Sequence, residues 1–168
     1  MRLPVFLISC QAPLRKHKIF PKRFYSMDTI VADIAVVQAL EGSSEIEELV
    51  SDRIFNTARP EKEEKEDNIP YIIVTYEGMV PTNENKDHRN GATDEEHVNV
   101  LCVAEDRASL ATLINRARTA IDEALDSSVY ATAYRIADFS ASATAILYDW
   151  TVPCVYQSLQ YTIETSKE

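Results

Sequence analysis

The sequence predicts an α+β fold, a mostly antiparallel sheet with two main helices packed on one face. Three observations predict it. Helix and strand periods follow the order helix, short helix, strands, helix, strands, not the regular alternation that builds a doubly wound parallel sheet. The closing segment sets Gln157, Leu159, Tyr161 and Ile163 against Ser158, Gln160, Thr162 and Glu164, which suits a strand with one covered and one wet face. The chain has 168 residues, one domain's worth and enough to build a core without disulfides or a structural metal.

Each element has its own warrant. Asp28 is placed to cap a helix running to Leu40, with Ile30, Ile34, Val37 and Leu40 on one face, Val31 and Val36 flanking, and Gly42 as the stop. Ser44-x-x-Glu47 reads as a capping box for a short second helix bearing Ile46, Leu49 and Val50. Arg53-Ile54-Phe55 is a brief extended segment, and residues 57–68 are a charged loop with nothing to bury. Tyr71-Ile-Ile-Val-Thr-Tyr76 is the strongest strand signal. From Gly78 to about Glu95 runs a polar stretch with Pro81, Asn83, Asn85, Asn90 and Gly91, too long for a plain connector.

His97 to Ala104 reads as a second strand. Val98, Val100, Cys102 and Ala104 share one face, and His97, Asn99, Leu101 and Val103 the other. Asp106 caps the longest helix, whose stripe is Leu110, Leu113, Ile114, Ala117, Ile121 and Leu125. Strand signals then fall at Val129–Phe139, Ala143–Tyr148 and Gln157–Thr165. The stripe is expected to pack against 71–76, 98–104 and 157–163. Were the terminal strand, which carries Tyr156, Leu159, Tyr161 and Ile163, to lie at a sheet edge, its backbone could pair with a neighbour.

Charge divides the chain. Residues 1–26 hold Arg2, Arg15, Lys16, Lys18, Lys22 and Arg23 and no Asp or Glu; the remainder holds 11 basic and 27 acidic residues, a net of −16. Residues 1–26 therefore read as a basic extension outside the core, and 27–168 as a single α+β domain. The acidic body repels nucleic acid rather than gripping it. No run reaches the roughly 18 apolar residues of a membrane span. Leu7-Ile8-Ser9-Cys10 mimics a lipoprotein signal, but its apolar stretch of about six residues is shorter than a working signal core. Met27 as the natural start, or a basic arm for something acidic, are the other readings of this segment.

The residues offer no catalytic, cofactor-binding or metal site. Three isolated glycines, Gly42, Gly78 and Gly91, cannot form a phosphate loop. His88 and His97 bracket Asp94, Glu95 and Glu96 at no standard metal spacing. Cys10, Cys102 and Cys154 are odd in number and far apart, which argues against a disulfide framework. His97 and Cys102, five residues apart on a strand, face opposite ways and cannot form a nucleophile–base pair. Five of the eight tyrosines, Tyr130, Tyr134, Tyr148, Tyr156 and Tyr161, lie in the last forty residues, where Arg135 is the one cation between Asp126 and Glu164. Such tyrosines suit sheet pairing and subunit contacts better than nucleic acid.

From Met27 onward the order of parts resembles the tail completion, or tail terminator, family of long-tailed bacteriophages and prophages. The resemblance lies in the Leu40-Glu-Gly42 helix stop, Val50-Ser-Asp-Arg-Ile-Phe55, the Pro-Tyr-Ile-Ile-Val strand at 70–74, His97-Val-Asn-Val-Leu-Cys-Val, the helix after Ala104-Glu-Asp-Arg-Ala-Ser and the close at Tyr161-Thr-Ile-Glu. It covers about 140 residues; the acidic loop 61–67 and the loop 78–95 look like insertions. It implies a structural rather than enzymatic role: a ring, often hexameric, that caps the tail tube and joins the head. The implied partners are further copies of the chain, a tail tube protein and a head–tail connector protein, with no cofactor, no specific nucleic acid and no membrane. The implied location is the cytoplasm during assembly, then the virion tail. A small cytosolic enzyme with an unrecognised site and a secreted or lipid-anchored binding protein are the competing classes.

Overall fold

The computed structural model describes residues 32–57, 69–81, 93–127 and 134–167. The elements are α1 (Ala32–Glu41), α2 (Ser44–Val50), β1 (Ile54–Asn56), β2 (Tyr71–Pro81), β3 (Thr93–Ala104), α3 (Arg107–Asp126), β4 (Tyr134–Ala143), β5 (Leu147–Asp149) and β6 (Cys154–Lys167). The fold class is the α+β class the sequence predicts. The sheet runs β1-β2-β3-β6-β4, with β5 also paired to β6. β1 is parallel to β2, and every other pairing is antiparallel.

Alternation along the strands decides the layers. Ile72 pairs across from Cys102, and Val74 from Val100. Val100 lies opposite Leu159, Val98 opposite Tyr161 and Glu96 opposite Ile163. All these side chains are buried, because cross-strand partners share a face and α1, α2 and α3 cover it. From α3 the whole expected stripe is buried, Leu110 through Leu125. Asp106 caps that helix as expected, its Oδ1 accepting the N–H groups of Ala108 (2.7 Å) and Ser109 (3.0 Å).

Several local expectations are corrected. α1 buries Ala32, Asp33, Val36, Ala39 and Leu40, while Ile34 and Val37 are only half-buried. Its face is turned relative to the one read from Ile34 and Val37, because seven of its ten residues are apolar and the stripe is poorly defined. α2 is entered through Ser43, and its side chain makes no capping bond; Ser44 is already helical, so the capping box does not form. β2 reaches Pro81 and β3 begins at Thr93, so regular strands take up both ends of the expected 78–95 loop. The signal at 143–148 resolves into the end of β4, an irregular link and the three-residue β5. β6 is no edge strand: it lies between β3 on one side and β4 and β5 on the other. Its Leu159, Tyr161 and Ile163 are core residues. The Asp28 cap and the boundary at residues 26 and 27 lie outside the described residues.

Candidate assembly surfaces

The histidine–carboxylate neighbourhood is split by strand geometry. Asp94 and Glu96 alternate with Glu95 and His97 along β3, so they point to opposite faces. His97 stands on the face away from the helices, its Nδ1 3.2 Å from Thr162 Oγ1. Glu96 points into the core with no exposed surface. Its Oε2 accepts the Ala32 N–H at 3.0 Å, and its Oε1 accepts the Thr165 hydroxyl at 3.2 Å. A carboxylate from the sheet thus serves the N-terminal end of α1, where amide dipoles favour negative charge. Burial pushes the Glu96 carboxyl above its ordinary range; the two hydrogen bonds oppose the rise, and the nearby Asp33 and Asp94 add to it. His88 lies outside the described residues.

Cys102 and His97 point to opposite faces of β3, as the alternation requires. Burial pushes the Cys102 thiol up to about 12, far from the depressed value a nucleophile needs. Cys154 is buried with Ile69 and Val103 in a small cluster backed by Tyr71, Leu101, Val152 and Tyr156. Of the tyrosines expected at contacts, Tyr161 is a core residue. Its hydroxyl donates to Asp122 Oδ1 at 3.0 Å, tying β6 to α3, and burial raises its pKa strongly.

What the surface offers instead is at the two edges of the sheet. On one side, β1 ends at Asn56 opposite Val74, and Thr57 N–H closes the pairing on Val74 O at 2.7 Å. Beyond that point β2 continues to Pro81 with no neighbour on its outer side among the described residues. A bulge between Tyr76 and Gly78 bends this free length. Gly78 sits there at φ 139°, a conformation that L side chains rarely adopt. Tyr76, Met79 and Val80 are exposed along it.

The opposite edge is β4 followed by β5. Thr144 bridges the two: its N–H donates to Ser158 O (2.9 Å) and its Oγ1 accepts the Ser158 N–H (3.1 Å). A tight turn then joins β5 to β6, held by Asp149 Oδ1 accepting the Thr151 N–H at 2.7 Å. That bond holds the Asp149 carboxyl below its ordinary range. The turn presents Trp150 at 86% exposure, its ring 4.5 Å from that of Tyr148 in an edge arrangement. Ile146 and Leu147 are exposed beside it. Trp150 was not singled out by periodicity; the signal for it was a lone Trp inside the turn-forming run Asp149-Trp-Thr-Val-Pro153.

The described residues form an α+β fold whose exposed apolar side chains gather toward two edges of the sheet. The family model described as "Tail completion protein gp17" matches residues 34–152, and the chain belongs to that family. Its role is accordingly that of a structural component of a phage-type tail. Among solved structures, a chain of the "Virion of native gene transfer agent (GTA) particle" shares the fold at a TM-score of 0.53 and 15% identity. The match covers 80% of this chain and 93% of that one. No curated protein sequence matches the chain.

Proposed function

We propose that this protein completes the tail by forming a ring of identical copies that caps the tail tube and contributes to joining the head. The observation that carries the proposal is the family match over residues 34–152. The role is non-enzymatic: the chain acts through its surface, against further copies of itself, the tail tube protein and a head–tail connector protein. A net charge of −16 over residues 27–168 suits a ring that DNA must pass without adhering. Assembly takes place in the cytoplasm, and the product is part of the virion tail. Residues 27–168 form the assembling domain, with 1–26 as an extension.

The same charge opposes self-association at low salt. Raising the salt to about 0.5 M shortens the screening length to a few ångströms, so oligomers are expected to gain over monomers. Light scattering during chromatography, at low and high salt and with purified tail tubes, checks this. A strict monomer under every condition, with no affinity for tubes, removes the proposal.

A further inference from the structure

The two edges that have no further strand among the described residues are different surfaces, and a ring needs two different surfaces. In a heterologous contact one patch meets another on the next copy, and repetition closes the ring. One patch here is the exposed stretch of β2, with Tyr76, Met79 and Val80; the other is the β5 turn, with Leu147, Tyr148 and Trp150 beside Ile146. They occupy opposite edges of the strand path. They also lie toward opposite ends of the strands: β2 from Gly78 to Pro81 pairs with β3 from His97 back to Asp94, while β5 pairs with Cys154–Tyr156 of β6, which lies against Val103 and Ala104 at the other end of β3. A single molecule cannot satisfy both.

Resting on the ring reading, we propose that the Trp150 turn of one copy docks on the free β2 edge of the next, with Trp150 as the anchor. Area favours a second copy as the occupant. Taking the aromatic figure of roughly 200 Å² as an upper value for all seven residues, their exposed fractions amount to at most about 700 Å², most of it apolar. A minimal specific interface of about 1,200 Å² needs a similar apolar share, close to 57%. Trp is one of the residue types enriched among the side chains that carry such contacts. Charge sets the conditions: Glu77 and Glu95 border the β2 edge and Asp149 borders the turn. The contact therefore brings like charges together and strengthens as salt rises.

The test uses the full chain and two surface variants, Trp150→Asp and Val80→Asp, under the salt at which the wild type assembles. Each variant should melt like the wild type, since both positions are exposed. Each alone should need at least ~30-fold more protein to associate, Trp150→Asp because the anchor is lost and Val80→Asp because it buries an unpaired charge in the contact. Mixed in equal amounts, they retain one intact pair of patches between them. The mixture should therefore form dimers by light scattering and stop there. Assembly of either variant as readily as wild type overturns the proposal while leaving the ring intact. A mixture that stays monomeric overturns it too, as does loss of tube binding alone with self-association retained, which would assign the turn to the tube. A wild type that never associates removes both the ring reading and this interface.

Discussion

Glu96 has no exposed surface, yet it is an acid. Its two oxygens are satisfied by the Ala32 N–H and the Thr165 hydroxyl, but burial still favours the neutral form, and Asp33 and Asp94 add like charge. Its folded pKa is therefore above its unfolded value. A carboxyl shifted that way contributes most below the unfolded value, and the contribution is lost as pH rises through the folded one. Glu96→Gln keeps an oxygen for Ala32 and offers an N–H to Thr165, which already lies 3.4 Å from the Asp94 carbonyl as a second acceptor. The variant should melt above the wild type at pH 8, with the gap narrowing toward pH 4.5 in parallel thermal scans. A variant that melts lower at every pH would mean that the ionised carboxylate is what α1 requires. The sequence held this residue in view but not its burial. The strand read from His97 began four residues after β3 does at Thr93, and extending the alternation of Val98 and Val100 back to Glu96 would have placed it on the core face.

Among the elements, legibility followed amphipathic contrast. α3 carries charged residues between its apolar positions, so the stripe from Leu110 to Leu125 could be named residue by residue and every member is buried. β3 was equally readable because Val98, Val100 and Cys102 alternate with residues half-buried on the other face. α1 was not, because Ala, Ile, Val and Leu surround it and the tertiary contact selects the small Ala32 and Ala39 over Ile34. The interior place of β6 was not readable either: whether a strand lies at an edge depends on partners far along the chain, and period carries no trace of them. The fit of α3 is open to measurement. Leu113 is 1% exposed and packs in the main core, so Leu113→Ala should cost about 2–5 kcal/mol in urea unfolding. A cost below ~0.5 kcal/mol, the range of ordinary surface substitutions, would place the stripe outside the core.

At the scale of the whole molecule, charge divides the chain. The chain carries a net −10, but residues 1–26 contribute six positive charges and no negative ones. That segment has neither helical nor strand period, so a chain beginning at Met27 should keep the melting temperature of the full chain. A loss of several degrees, the shift that about 1–2 kcal/mol produces in a domain of this size, would mean that the extension packs on the core. The same shortening has a second, independent consequence. It takes the net charge from −10 to −16 and so increases the repulsion between copies that salt must screen. The shortened chain should therefore need more salt than the full chain to reach the same degree of association by light scattering. Equal salt requirements would show that the six cations do not act at the contact between copies. Association lost at every salt concentration, with melting unchanged, would make the extension a part of the interface rather than a modulator of its charge.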